Sequence, residues 1–243
     1  MDKVYAKLKA QLVEQVRGRD LVRLQCLDHK FVGAWLTAIP SPALALELSA
    51  PLFRALLRFW LGQPIVISAP VSCPFCKKAA DAYGDHFLCC DEMEFHKRHR
   101  DVVSVIAHVA RASGLQVDTE VGKFGSREEG AMNRLRPGDV YIPHFFGGEA
   151  AIVDPSITHP LAPSLGLSAT GARDALKIRA ERKHHHYAPV RQNQTGTFVP
   201  FIMSTFGALD EVEAVPFLGQ LRQLQQWMQR RWAAKPATQT PEQ

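Results

Sequence analysis

The sequence predicts an α/β chain of the α+β type, in which a helical N-terminal segment leads into a small cysteine-rich module and then into a mixed sheet flanked by helices. Three observations carry this. Apolar residues recur at helical spacing through the first 67 positions; four of the five cysteines fall within eighteen positions, from Cys73 to Cys90; and beyond them short strand-like runs exchange with helix-like runs.

In the N-terminal segment, Val4, Leu8, Leu12 and Val16 repeat at helical steps. The Ile39-Pro-Ser-Pro42 stretch interrupts the pattern, and a second run from Glu47 to Leu61 resumes it with Leu48, Leu52, Leu56 and Phe59. Such stripes are packing faces, and no catalytic role is expected before residue 68. Cys26 reads as a small buried hydrophobe. With 243 residues, 46% of them hydrophobic and 22% charged, the chain can bury a sizeable core. A formal charge of +5 is compatible with a nucleic-acid partner. No apolar run approaches the ~20 residues of a membrane span, and Met1–Ala10 lacks a secretory core, so an intracellular protein with no membrane partner is expected. The expected organisation is a helical segment over 1–67, a cysteine module over 68–97, a sheet domain over 98–232 and a disordered tail over 233–243, where apolar residues run out.

In a reducing compartment clustered cysteines favour a metal over disulfides. Cys73 and Cys76 enclose only Pro74 and Phe75, so both sulfurs can point inward from one turn; His86 and Cys90 follow at metal-ligand spacing. Three thiolates and one imidazole close a tetrahedral zinc shell with no open position, which is a structural site. Gly84 permits the sharp turn before His86. Cys89 stands beside Cys90 as an alternative fourth ligand.

After the module, Arg98 to Gly114 reads as a helix with Val102, Val105, Ile106, Val109 and Ala110 on one side. Strands are expected over Leu115–Val121, Asp139–Ile142 and Ala150–Asp154, with Pro143 to Gly148 as turn residues; a helix follows over Ala169–Tyr187 and a strand over Phe198–Met203. If the second and third strands form an antiparallel hairpin, Asp139 and Asp154 converge at one edge. Paired carboxylates there can hold Mg²⁺, which lowers the pKa of a bound water and offsets charge on a phosphodiester, and a nearby lysine can assist.

Arg136-Pro-Gly-Asp139-Val-Tyr-Ile, Ala151-Ile-Val-Asp154-Pro-Ser-Ile-Thr-His-Pro160 and a helix ending Lys183-His-His-His-Tyr187 resemble the restriction-endonuclease-like PD-(D/E)xK nucleases. The match is closest to the version at the C-terminus of site-specific non-LTR retrotransposon reverse transcriptases, where a CCHC zinc module directly precedes the nuclease. Gly33–Pro40 and Leu61–Ile65 also resemble the stretch before that module, so the resemblance covers roughly residues 20 to 207. It implies a restriction-endonuclease-like sheet, with Asp139 and Asp154 as Mg²⁺ ligands. The family's usual lysine lies two residues after the second carboxylate, where this chain has Ser156. In the retrotransposon type it has moved to the following helix, which makes Lys183 the first candidate and Lys177 the second. Glu120 is a further candidate acidic residue. No polymerase-type Asp-Asp pair occurs, so reverse transcription is not supported.

Lys97-Arg98-His99-Arg100 and Lys177 to His186 form two basic clusters whose Lys97, Arg98, Arg100, Lys177 and Arg182 suit phosphate contacts, or else they are solvated helix faces. His184-His185-His186 resembles a metal tract, but consecutive helical positions diverge and cannot share one ion. The first expectation is a Mg²⁺-dependent endonuclease of DNA, with RNA as the alternative substrate, carrying structural zinc and acting in the nucleus. A zinc-stabilised, catalytically inactive nucleic-acid-binding remnant of a mobile element is the second, and a protein-interaction module the third.

Overall fold

The computed structural model describes residues 2–29, 31–42, 47–66, 71–93, 95–119, 138–165, 172–191 and 196–233. Contacts divide the chain into two compact units. The first comprises Met1–Phe95, Ile157–Glu181 and Ile202–Asp210, and the second His96–Ser156, Arg182–Phe201 and Glu211–Gln243. The tail expected to be disordered falls, beyond residue 233, outside the described residues.

The first unit opens with three helices, α1 (Asp2–Gln15), α2 (Gly18–Leu27) and α3 (Ala50–Trp60), of which the apolar stripes predict the first and the third. Ser49 starts α3 by accepting from the Leu52 N–H, and Pro51 sits in the first turn, where its missing N–H costs nothing. The stripes themselves are not buried as expected. Val4, Leu8 and Leu12 of α1 and Leu52 and Leu56 of α3 remain exposed within this chain, because periodicity shows that a helix has an apolar face but not what covers it. The core forms instead from Val22, Cys26, Val32, Leu176, Ala180, Ile202, Phe206 and Ala208, with Phe59 stacked on Phe206 at 4.8 Å between ring centroids. Cys26 is fully buried, and that burial pushes its thiol up to about 12 against a hydrogen bond with Ser204, so it packs as an inert hydrophobe. Two short antiparallel strands, β1 (Val71–Ser72) and β2 (Ala79–Ala80), and the one-turn helix α4 (Asp85–Cys89) follow.

In the second unit α5 (Phe95–Ala112) ends as expected, with Gly114 in the left-handed region. Its buried residues are Ile106, Ala107 and Ala110, whereas Val105 and Val109 are exposed, so the packing face is rotated from the one the valines suggest. The strands β3 (Asp118–Thr119), β4 (Val140–Phe146), β5 (Glu149–Thr158) and β6 (Thr197–Ser204) form one sheet in that order, with β3–β4 and β4–β5 antiparallel. Pro143 to Phe146 continue β4 rather than forming the turn. The reversal is made by Gly147 and Gly148 alone, both at positive φ, as a tight hairpin turn requires. The long helix α6 (Ala172–Arg191) connects β5 to β6 in sequence. A final helix, α7 (Ala214–Ala233), was not expected from the sequence. It buries Phe217 against Phe145 and Phe201, at centroid distances of 4.9 and 6.1 Å. Its apolar positions are diluted by a glutamine-rich face, which leaves a weak period. Among the described residues no helix is long and apolar enough to cross a membrane.

Candidate functional site

Two sites emerge, one in each unit. In the first, the Sγ atoms of Cys73, Cys76 and Cys90 and a ring nitrogen of His86 all lie within 4.8 Å of one another, a Cys₃His set able to hold a metal such as zinc. The Cys76 Sγ is 3.2 Å from His86 Nε2, and the Cys73 Sγ 3.8 Å from that of Cys90. Backbone chemistry sets this up. The Cys73 N–H donates to the Lys78 carbonyl at 2.8 Å and the Lys77 N–H to the Cys73 carbonyl at 3.0 Å, folding the Cys-Pro-Phe-Cys turn inward. The Asp81 carboxylate then accepts from the N–H groups of Tyr83, Asp85 and His86, fixing the start of α4. Burial works against its charge, but those three donors outweigh it and hold its pKa below the usual carboxylate range. Gly84, at φ +81, makes the turn, and a Cβ there would lie 2.4 Å from Ile65 Cδ1.

The same balance acts on the thiols. Burial raises the Cys73 pKa, yet N–H donors from Cys76 and Phe75 and the side chains of His86 and Cys90 bring it down to about 6, while Cys90 is raised by its burial and by the neighbouring thiolates. A thiol already inclined to ionise is a ready metal ligand. Cys90 belongs to the cluster and Cys89, half-buried, does not, which decides between the two adjacent sulfurs.

In the second unit, β4 and β5 pair with Val140 opposite Val153, and the Asp139 N–H donates to the Val153 carbonyl at 2.9 Å. Asp139, just before β4, therefore lies beside Asp154 on the neighbouring strand, as the hairpin expectation required. Gly138 allows the approach: at φ +138, a Cβ on it would fall 2.4 Å from Ile152 Cγ2 and 3.3 Å from the Val153 carbonyl oxygen. Lys183 of α6 places Nζ 2.5 Å from Asp154 Oδ2, with both side chains largely buried. Lys177, by contrast, is exposed and lies in the first unit, 3.9 Å from Glu181. Of the two candidate lysines, Lys183 is the one that meets Asp154.

Burial raises the Asp154 pKa, and the Lys183 charge only partly offsets it; the adjacent Asp139 adds to the rise. Asp139 is shifted the other way. Burial raises it too, but hydrogen bonds with His99 and Asp154 and the charges of His99 and Lys183 prevail and lower it. The two carboxylates thus differ in proton affinity at one site, a common mark of functional pairs. His99 of α5 supplies Nε2 at 3.1 Å from Asp139 Oδ2, and that hydrogen bond, opposed by partial burial, holds the imidazole above its ordinary range. The sequence placed His99 only within a basic run. No spacing rule joins it to Asp139, because the two are brought together by the packing of α5 near the start of β4.

The remaining candidates are dispersed. Lys97, Arg100 and Arg182 are exposed and Arg98 is half-buried, on α5 and α6. Glu120 and Arg136 lie outside the described residues. His184 is engaged by Glu213 at 3.0 Å and by Arg191 at 2.8 Å, while His185 and His186 are exposed, so the histidine tract is divided, as helical geometry demands. No family model matches the chain, and no curated protein matches it. The functional reading therefore stands on the geometry of the two sites.

Proposed function

We propose that this chain is a metal-dependent endonuclease that hydrolyses phosphodiester bonds of DNA at Asp139, Asp154 and Lys183, with structural zinc on the Cys₃His cluster. One observation carries the reading: Asp139 and Asp154 meet across β4 and β5, and Lys183, far away in sequence, reaches the same carboxylate pair. The donors fit a hard divalent ion. They are carboxylate oxygens, one deeply buried and one half-exposed to incoming solvent and substrate. A Mg²⁺ ion held there would supply Lewis-acid stabilisation of the phosphoryl group and a more acidic bound water.

The chain's own residues do the rest. Asp154, almost wholly buried, is held against Lys183 and so fixed in direction; Asp139 faces the open side. The Lys183 ammonium stands where it can hold negative charge building on a non-bridging oxygen or orient the attacking water. Lys97 and Arg100, exposed on the helix that carries His99, suit phosphates of a bound duplex. The reading implies a nuclear site of action and an origin in a retrotransposon C-terminal region.

The second reading, a catalytically inactive nucleic-acid-binding remnant, is favoured by Ser156. It is buried two residues after Asp154, where the family the sequence resembles has its usual lysine. Nicking of supercoiled plasmid with Mg²⁺ or Mn²⁺ separates the two. Wild-type protein should nick, and Asp139→Asn, folded to the same extent, should fall to background. Equal cleavage by both proteins would expose a contaminant, and folded wild type that cuts no DNA form would leave the remnant.

A further inference from the structure

We propose that His99 is a nitrogen ligand of the ion held by Asp139 and Asp154, so that the site is a mixed imidazole and carboxylate set that selects a first-row transition ion such as Mn²⁺ over Mg²⁺. The inference rests on the reading of those two aspartates as metal ligands.

The contact between His99 and Asp139 has the right dimension. Its Nε2 to Oδ2 separation is 3.1 Å, and two donors at neighbouring positions of an octahedral ion with bonds of about 2.1 Å stand about 3.0 Å apart. Asp139 is the shared member of the set, 3.1 Å from His99 and beside Asp154 across the β4–β5 pairing. The His99 side chain is about one-third exposed (35%), so it flanks the accessible carboxylate rather than being sealed into the core. Imidazole nitrogen is a softer donor than carboxylate or water. It adds much to the affinity of a transition ion and little to that of Mg²⁺, which favours oxygen and keeps its waters. Among the described residues only the cysteine cluster has three or more such donors within 4.8 Å of one another, so His99, Asp139 and Asp154 form an open set that side-chain movement must close.

Mn²⁺ is a direct probe, because nitrogen bound to it is visible by electron spin echo spectroscopy without any turnover. With zinc left on the Cys₃His cluster, wild-type protein loaded with Mn²⁺ should show coupling from a directly bound imidazole nitrogen. His99→Gln should remove that coupling and weaken Mn²⁺ binding by about tenfold or more while Mg²⁺ binding changes little. Asp139→Asn should lose the same signal, which excludes ions bound at the other histidines. His99→Asn provides a second variant should the first misfold. Mn²⁺ bound in an Asp139-dependent way without nitrogen coupling would overturn the role of His99 and leave the carboxylate site intact. Equal loss of Mn²⁺ and Mg²⁺ affinity in His99→Gln would also overturn it, since a residue that merely holds Asp139 in place affects both ions alike. Absence of any Asp139-dependent ion would overturn both readings.

Discussion

Replacing Lys183 with Met removes the ammonium and keeps a chain of similar reach, so it isolates the charge that faces Asp154. The two side chains are 14% and 5% exposed and meet at 2.5 Å, and removing one partner of so buried a pair typically costs about 3–5 kcal/mol. The abandoned carboxylate can escape the full cost by taking a proton. From an unfolded-state pKa of about 3.9, neutralising it near pH 7.5 costs at most about 1.36 kcal/mol for each of about 3.6 units, or about 4.9 kcal/mol. Near pH 5 the same arithmetic leaves about 1.5 kcal/mol.

The sign follows from the direction of the shift. Asp154 has its folded-state pKa raised by burial, so its contribution to stability is fully present below the unfolded value and is lost as pH rises through the folded one. Lys183 restrains that rise, and without it the loss extends to higher pH. Lys183→Met should therefore lower the stability of zinc-loaded, Mg²⁺-free protein by about 3–4 kcal/mol near pH 7.5 and by no more than about 1.5 kcal/mol near pH 5. Urea titrations at the two pH values measure this, and adding Asp154→Asn should recover most of the loss at the higher one. No destabilisation near pH 7.5, or the same loss at both, would refute the buried pair.

The zinc-loaded chain should carry one zinc, and Cys90→Ser should lose it while Cys89→Ser retains it, as metal analysis would show. Chelation should also broaden the unfolding transition of the first unit, because the Cys₃His set is part of its local structure. Affinity for duplex DNA should fall steeply with salt, and Lys97→Glu with Arg100→Glu should reduce the log–log slope by about 0.9 for each phosphate that is no longer neutralised. A slope unchanged by that double variant would remove α5 from the interface. Gly138→Ala should cost about 1–3 kcal/mol in a thermal or urea melt, given its φ of +138 and the clash with Ile152, and should also lower nicking by displacing Asp139. Gly147→Ala, strained at φ +65 but with open space where the added Cβ would lie, should cost some stability and leave nicking intact.

Several features were legible because they are local. The Cys-Pro-Phe-Cys turn, the glycine before His86 and the four-residue step from His86 to Cys90 are short-range geometry, and the structure assembles these four ligands. The hairpin was legible because two strand-like runs are joined by a glycine pair, and antiparallel pairing then brings Asp139 to Asp154. The extent of β4 was less so, since Pro143 reads as a turn residue although it lies within the strand. Helix α7 escaped for a related reason: a helix that buries few large residues, Phe217 and Leu221 among them, leaves little period to detect.

The sequence by itself determined that the apolar-striped runs near the N-terminus and after the cysteine module are helices, which residues can close a metal shell and which carboxylates a hairpin would align. Those outcomes depend on backbone geometry over a few residues. Only the tertiary structure decided that Lys183 rather than Lys177 meets Asp154, that His99 meets Asp139, and that α5 turns Ile106 rather than Val105 into the core. Each of these depends on the rotation and depth at which a helix packs, set by the summed contacts of its whole buried face. A rotation of one residue, about 100°, would carry a side chain out of its site while leaving the sequence pattern unchanged.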